Sequence, residues 1–365
     1  MSRIYPVTMP KWGLSMQEGK VNRWLAKVGD SLEAGSTVVE VESDKIAGVI
    51  EASSGGVLRR RVAKEDDVLP VGALLALISD VEVAESEIDA FLAEFQSRFV
   101  PGTAERSEMT AGPETVTIKG RKITYLRRGD RGDVVLLIHG FAGDKNSWLF
   151  NHEVLAEANT VYALDLPGHG QSDKTIDDPS LNGFAQRVLG FAETLNIGQL
   201  HLVGHSFGGA VSLSTALLEP ERVKSVTLIS SLALGKEIDA AYVRGLARTN
   251  SRKELKALAA RLFADEGLVT RQLVEDLLRF KRLDGVQAAL ESILSEFLDG
   301  DQQRLVLREK IAGLGKPIRV IWGEKDHIIP ASHASLPGAD VHILPNAGHM
   351  AHMEAANEVN RLLRF

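Results

Sequence analysis

The sequence predicts two domains: a small all-β domain, then an α/β domain with a doubly wound, mostly parallel sheet and a helical cap. Its 365 residues exceed the usual size of one compact domain. Closely spaced strand-like runs fill residues 1–79, whereas apolar strands alternate with helical segments over residues 115–365. Residues 80–114 are expected to form an amphipathic helix plus a flexible linker.

The N-terminal domain contains short strand-like runs separated by Gly, Asp and Pro. They are residues 21–28, 37–41, 46–52, 56–61 and 74–78. The segment 29–35 before one strand is similar to the segment 65–72 before another. This internal repetition predicts a flattened β-barrel built from two similar halves.

An amphipathic helix is predicted over residues 84–99, because five large apolar side chains share one helical stripe. They are Ile88, Phe91, Leu92, Phe95 and Phe99. The stripe is typical of a helix that docks on its own domain, with a partner-docking helix as the alternative. Residues 101–114 lose this periodicity and gather Pro, Gly, Thr and Glu, which indicates a linker.

The α/β domain is predicted from buried-looking, β-branched strands separated by helical patterns such as 207–218. The strands are residues 134–138, 160–165, 200–204, 223–230 and 318–322. Residues 236–312 show only helical pattern, so we expect a helical cap over the active edge of the sheet.

Composition excludes several kinds of function. A net charge of −7 without a long basic tract gives no reason to expect nucleic-acid binding. The absence of cysteine removes disulfides, thiolate metal sites and a thiol nucleophile. We see no signal-peptide pattern and no membrane-spanning run, and we expect no metal site and a cytoplasmic location.

Lys45 stands in the string Glu42-Ser43-Asp44-Lys45-Ile46, between two strand-like runs. Together with residues 8–19, this string resembles the lipoyl domains of 2-oxo-acid-type dehydrogenase complexes. The resemblance implies covalent lipoate on Lys45. Biotin carriers place methionines beside the lysine, whereas Asp44 and Ile46 flank it here. An ordinary solvated lysine is the alternative.

Ser206 stands in the string Gly204-His205-Ser206-Phe207-Gly208, between a predicted strand and a predicted helix. This is the context of a nucleophile elbow, in which glycines permit a strained turn that presents the hydroxyl. With the strings 139–143, 165–172, 323–326 and 346–349, it resembles the α/β-hydrolase superfamily over residues 115–365.

The resemblance implies a catalytic triad of Ser206, Asp326 and His349, in the chain order that this fold uses. It also implies that the backbone N–H groups of Phe141 and Phe207 form the oxyanion hole. His352 is the alternative base and Glu324 the alternative acid. For His205 a packing role is expected, and for His139 a structural one.

A lipoyl carrier joined to an α/β-hydrolase domain resembles the dihydrolipoyl acetyltransferase components of acetoin dehydrogenase systems. The resemblance implies acyl transfer from lipoyl-lysine to coenzyme A. It also implies thiamine-diphosphate-dependent acetoin dehydrogenase subunits and a flavin- and NAD-dependent dihydrolipoamide dehydrogenase as partners, and modification by a lipoate ligase. A homo-oligomer is expected.

Two departures from the usual acyltransferases of such complexes keep other functions open. The chain contains no His-x-x-x-Asp-Gly string, and no basic subunit-binding module is evident between its domains. An esterase, thioesterase or carbon–carbon bond hydrolase uses the same triad. A non-catalytic lipoyl carrier and scaffold is the alternative of a different class.

Overall fold

The computed structural model of the protein describes residues 4–10, 16–43, 47–52, 54–98 and 112–365. It divides into two compact units, Met1–Thr110 and Ala111–Phe365. In these described ranges no helix combines the length and the apolar character that crossing a bilayer requires.

The described part of the first unit contains eight strands in two four-stranded antiparallel sheets, with orders β1-β8-β6-β3 and β5-β4-β2-β7. The strands are β1 (Ile4–Thr8), β2 (Glu18–Trp24), β3 (Ser31–Leu32), β4 (Thr37–Glu42), β5 (Ala47–Glu51), β6 (Gly56–Arg61), β7 (Val68–Pro70) and β8 (Leu74–Ser79). An apolar core that includes Val21, Val39, Leu58 and Leu75 packs within this unit. The all-β prediction is confirmed, although the sequence pattern missed β1, β3 and β7.

The two sheets are related by the repeat that the sequence indicates. Shifting every strand number by four converts one sheet order into the other. The matching turns also share a hydrogen bond, since Lys27 N–H donates to Asp30 and Lys64 N–H donates to Asp67, both at 2.7 Å. Each half thus closes its turn with an aspartate at the same place.

Helix α1 (Glu85–Arg98) packs against the same unit. Ile88 is buried and contacts a cluster with Leu74 and Leu77, and Phe91 and Phe95 are partly buried against it. The apolar stripe therefore covers a surface of its own unit, as expected, whereas Phe99 lies outside the described residues.

The second unit is built on an eight-stranded sheet with the order β18-β17-β14-β13-β11-β12-β10-β9. Its strands are β9 (Glu114–Ile118), β10 (Arg121–Arg128), β11 (Val134–Ile138), β12 (Thr160–Leu164), β13 (Leu200–His205), β14 (Val223–Ile229), β17 (Ile318–Gly323) and β18 (Asp340–Leu344). Six neighbouring strands of this sheet pair in parallel, in the spatial order β12, β11, β13, β14, β17 and β18. Strands β10 and β9 are added antiparallel at the β12 edge.

Both faces of this sheet are buried, because alternate residues of its strands enter different cores. In β11, Leu136 and Ile138 belong to one apolar cluster and Val135 and Leu137 to another. The helices are α2 (His152–Ala156), α3 (Leu181–Thr194), α4 (Phe207–Leu218), α5 (Ala240–Arg248), α6 (Arg252–Ala260), α7 (Arg271–Lys281), α8 (Val286–Phe297), α9 (Arg308–Ile311), α10 (Ala351–Glu354) and α11 (Ala356–Leu362). The predicted mostly parallel, doubly wound α/β fold is confirmed.

The segment 236–312, which we call the cap, contains helices α5 to α9 between strands β14 and β17. The expectation of helix alone is wrong at one place, where β15 (Leu298–Asp299) and β16 (Gln302–Gln303) form a short hairpin. Gly300, with a φ of 55°, permits its turn. The buried Gln303 side chain accepts a hydrogen bond from Ala233 N–H at 2.7 Å, which ties the hairpin to the segment that follows β14.

Candidate active site

Ser206 lies in the turn between β13 and α4, with a φ of 51° and a ψ of −116°. A residue with a Cβ adopts this conformation only at a cost in energy. Two backbone hydrogen bonds hold it there: Ser206 N–H donates to Ile229 O at 2.9 Å, and Ser206 O accepts from Leu232 N–H at 3.0 Å. Strand β14 and the segment that follows it thus fix the strained turn that the sequence predicts for a nucleophile.

Two glycines make this turn possible because the backbone segments are in direct contact. A Cβ on Gly204 would lie 2.3 Å from Gly208 O, and a Cβ on Gly208 would lie 2.1 Å from Ile138 O. Both distances are far below van der Waals contact. The first turn of α4 can therefore pack on the ends of β13 and β11 only if these positions lack side chains.

Asp326 and His349 form a buried hydrogen-bonded pair. His349 Nδ1 lies 2.8 Å from Asp326 Oδ2, and the two side chains are 3% and 0% exposed. Asp326 Oδ1 accepts from the N–H groups of Ile328 and Ile329 at 2.8 and 3.0 Å. Because the carboxylate accepts, Nδ1 carries a proton, and Nε2 is left to receive one.

His205 connects the elbow to the loop that carries His349. Its Nε2 donates to His349 O at 3.0 Å, and the two rings are 4.8 Å apart. Burial, then the nearby His352 and His349, holds the pKa of His205 well below its ordinary value. A neutral His205 thus positions the loop that carries His349, which we call the histidine loop. The expectation that His205 has only a packing role is therefore incomplete.

The loop 139–143 after β11 approaches Ser206 from the other side. A Cβ on Gly140 would lie 3.1 Å from Ser206 Cβ and 2.8 Å from His205 Nδ1. Phe141 follows Gly140 directly. Phe207 is the first residue of α4, where a backbone N–H has no acceptor within the helix. Both predicted oxyanion donors therefore belong to segments that meet at Ser206.

His139 holds the start of this loop. Its Nε2 accepts from Leu166 N–H at 3.0 Å, so Nδ1 carries the proton and donates to Gly140 O at 2.7 Å. Burial lowers the pKa of His139, which keeps the ring neutral. These bonds match the structural role expected for it.

Beneath the loop lies a buried ion pair that sequence patterns did not reveal. Lys145 Nζ lies 2.9 Å from both Asp165 Oδ2 and Gln171 Oε1, and the Lys145 and Asp165 side chains are 3% and 0% exposed. Asp165 also accepts from the backbone N–H groups of Lys145 and Gln171, both at 2.8 Å. The pair fixes the segments that follow β11 and β12, and its members lie too far apart in sequence to form a local signal.

The cap contacts both loops of the acid–histidine pair. Asp239 N–H donates to Ile328 O at 2.8 Å, beside the acid, and Met350 N–H donates to Leu262 O at 3.1 Å, beside the histidine. Burial and then the charge of Asp326 raise the pKa of Tyr242, on cap helix α5. The cap is thus part of the wall around the site.

The alternative acid and base lie in other environments. Glu324 is exposed, whereas Asp326 accepts three hydrogen bonds. His352 is buried, with its ring 4.6 Å from that of Trp148, and burial lowers its pKa to about 3. The structure therefore brings Asp326, rather than Glu324, to His349.

Comparison with known proteins addresses the whole chain. Residues 133–356 match the α/β hydrolase fold family, and residues 5–78 match the biotin-requiring enzyme family of carrier domains. The dihydrolipoyllysine-residue acetyltransferase component of the acetoin cleaving system of Pseudomonas putida is 49% identical and covers 99% of this chain and 98% of that protein. The corresponding component of Cupriavidus necator is 44% identical, covering 99% of this chain and 96% of that protein. The chain belongs to this acetyltransferase family.

This membership confirms the family that the two motifs predicted. The α/β unit also resembles a solved meta-cleavage product hydrolase, which is 26% identical with a TM-score of 0.61. That match covers 68% of this chain and 96% of the hydrolase. The second unit of this chain therefore has the fold of that hydrolase.

In this member of the family, Lys45 lies outside the described residues. The flanking strands are described: β4 pairs antiparallel with β5, and Glu42 lies opposite Ala47. Residues 43–46 therefore connect two paired strands of a lipoyl-type domain.

Proposed function

We propose that this protein transfers an acyl group from a lipoyl thioester to coenzyme A in an acetoin-cleaving system. The observation that carries the proposal is the presence, in one chain, of a lipoyl-type domain and a serine elbow accompanied by an acid–histidine pair. The names of its near-full-length relatives support the same activity.

In this proposal Lys45 holds lipoate through an amide bond. When bound, the lipoyl group supplies a thiol that carries the acyl group as a thioester. We infer that thiamine-diphosphate-dependent subunits load the arm, that dihydrolipoamide dehydrogenase reoxidises it, and that these subunits form a complex with this chain. The relatives' description as components of a system supports this inference.

Ser206 acts as the nucleophile. His349 Nε2 takes the hydroxyl proton while Ser206 Oγ attacks the thioester carbonyl, and Asp326 stabilises the imidazolium that forms. The N–H groups of Phe141 and Phe207 donate to the developing oxyanion, an interaction whose loss typically costs about 3 kcal/mol of barrier. The imidazolium then returns its proton to the leaving thiolate, and an acyl-Ser206 ester remains.

Coenzyme A resolves this ester. Its thiol gives a proton to His349 Nε2, its sulfur attacks the acyl carbon, and Ser206 Oγ leaves and regains a proton from His349. A simpler route omits the acyl-serine: His349 deprotonates the coenzyme A thiol, which attacks the thioester directly. The strained turn that holds Ser206 supports the first route.

Hydrolysis is the second candidate, and the likeness of the α/β unit to a solved hydrolase favours it. Water would then attack acyl-Ser206 in place of the coenzyme A thiol. Transfer therefore requires that water is excluded from the acyl-enzyme.

The test supplies an acetyl donor to the lipoylated full chain, with and without coenzyme A. Formation of acetyl-CoA supports transfer, free acetate supports hydrolysis, and the absence of both supports a non-catalytic carrier. The Ser206→Ala variant is the matched control. Full acetyl-CoA formation by this variant would exclude the serine route.

A further inference from the structure

Glu354, the last residue of α10, bridges the histidine loop and the cap. Its Oε1 accepts from Gly348 N–H at 2.8 Å, and its Oε2 accepts from Ala264 N–H at 2.7 Å. Gly348 immediately precedes His349, whereas Ala264 belongs to the cap segment that follows α6. One carboxylate thus satisfies two backbone donors from different parts of the unit.

The residue on the other side of His349 is also tied to the cap. Met350 N–H donates to Leu262 O at 3.1 Å. His349 therefore lies between two neighbours, of which one is held through Glu354 and the other directly by the cap. Its ring position depends on where the cap segment 262–264 lies.

Histidine loop and cap segment are in direct contact at this place. A Cβ on Gly348 would lie 2.7 Å from Ala264 N and 3.0 Å from Leu262 O. Because no side chain separates the two backbones, a displacement of one is transmitted to the other. Glu354 closes the contact from the side.

We propose that Glu354 is a positioning residue, whose ionised carboxylate sets the imidazole of His349 by holding Gly348 and the cap segment together. This inference rests on the function proposed above for Ser206 and His349. Glu354 touches no reacting atom in this scheme and acts through the backbone on either side of the histidine.

The charge of the carboxylate matters for this role. Only the ionised form offers both oxygens to two N–H donors, since protonation converts one oxygen into a hydroxyl. Burial raises the pKa of Glu354 to about 7, whereas its backbone hydrogen bonds with Ala264, Gly348 and Asp265 and the nearby His349 oppose that shift. Near neutral pH the bridge therefore changes between a fully bonded and a half-bonded state.

The experiment measures acylation of Ser206 in the full chain with p-nitrophenyl acetate and a fluorophosphonate probe, which need neither lipoate nor coenzyme A. Glu354→Gln keeps the size of the side chain but turns an amide N–H₂ toward a backbone N–H. We expect kcat/KM for acylation to fall by about 10- to 100-fold, as for a displaced catalytic group. Glu358→Gln is the matched control, because it removes a half-exposed charge paired with Arg361 and should react as wild type.

The pH profile separates positioning from a general structural effect. In the wild type, acylation requires an unprotonated general base, and protonation of Glu354 also weakens the bridge, so the acid limb is steeper than for one proton. In Glu354→Gln one of these protonations is gone, and the limb should become single-proton. A variant whose profile is lowered in parallel, or is unchanged, would overturn the proposal.

Two further results keep the test decisive. Glu354→Asp retains the charge but has a shorter reach, so it should lose part of the rate and keep the steep limb. If Glu354→Gln does not fold, wild-type rates in Glu354→Asp at every pH would overturn the inference. A wild type that reacts with neither probe would overturn the role of Ser206 itself, whereas reactive protein that makes no acetyl-CoA contradicts only the transfer.

Discussion

Ser206 and Asp326 are held in place in different ways. The serine stays in a backbone conformation that typically costs about 1–3 kcal/mol, and the sheet compensates with backbone hydrogen bonds. Asp326, in contrast, is held by hydrogen bonds, because three N–H groups donate to its two carboxylate oxygens. These hydrogen bonds orient the carboxylate toward His349.

Asp326→Asn is expected to reduce acylation of Ser206 on the order of 10⁴-fold, because an amide favours the wrong imidazole tautomer. Burst kinetics with p-nitrophenyl acetate would measure the loss. Glu324→Gln changes an exposed acid two residues away and should react as wild type. The reverse ranking of these two variants would show that the acid has been assigned to the wrong residue.

Ionisation of Glu354 is expected to lower the stability of the protein, although it supports activity. Burial raises its pKa from 4.5 to about 7, so the native state binds this proton more tightly than the unfolded chain does. Its contribution to stability is fully present below pH 4.5 and is lost as pH rises through 7, by about 3 kcal/mol. Glu354→Gln removes this loss.

Thermal unfolding of the wild type and of Glu354→Gln between pH 5 and 8 measures the effect. We expect the Tm of the variant, relative to that of the wild type, to increase with pH. The Glu358→Gln control should show no such trend. A Tm difference that stays constant across this range would mean that the carboxyl is not the titrating group.

The residues proposed for catalysis could be predicted from the sequence because each lies in a short sequence motif. The serine elbow, the acid after a strand and the histidine before a C-terminal helix are short patterns in a fixed order. The sequence did not predict the roles of His205, Lys145 and Glu354, because each of them contacts a backbone group or side chain that only the fold brings near. Their roles depend on tertiary contacts.

At the scale of elements, the elbow depends on close contact between α4 and two strand ends. Gly208→Ala would force a Cβ against the carbonyl oxygens of Ile138 and His139, at 2.1 and 2.5 Å. We expect this overpacking to cost about 1–3 kcal/mol and to lower acylation by Ser206. Thermal unfolding and fluorophosphonate labelling measure the two effects.

Gly198→Ala is the matched control for this substitution. Gly198 is exposed, and no heavy atom lies within 4 Å of the added Cβ. It should leave both stability and labelling near wild type. Equal tolerance of alanine at positions 198 and 208 would contradict the close contact at the elbow.

The central strands of the eight-stranded sheet, β11 to β14 and β17, were predicted to within a few residues, whereas β10 and several edge strands were missed. Strand β1 lies at a sheet edge and contains Pro6, which a central strand excludes. Strand β18 also lies at an edge, and its Val341 and Ile343 are exposed, so no buried apolar face marks it. Burial on both faces makes β11 and β13 readable as apolar runs, and edge strands lack that signal.

At the scale of the whole molecule, the proposed function uses two units that have separate cores. Lys45→Arg keeps the charge but cannot form the lipoyl amide. We expect it to abolish lipoyl-dependent acetyl-CoA formation while Ser206 still reacts with p-nitrophenyl acetate at the wild-type rate. Product assays and burst kinetics on the same preparation measure both activities.

Lys64→Arg is the control for this variant, because Lys64 is an exposed lysine in a turn of the same unit. It should retain both activities. Acetyl-CoA formation that survives Lys45→Arg and stops with Lys64→Arg would place the arm on another lysine.

The most direct test follows the acyl group through the protein. Lipoylated full chain is loaded with a labelled acetyl donor without coenzyme A, and the labelled peptides are identified by mass spectrometry before and after coenzyme A is added. We expect label on the peptide with Ser206, transferred to acetyl-CoA after the addition and absent in Ser206→Ala. Label that reaches coenzyme A at the same rate in Ser206→Ala would contradict transfer through the serine.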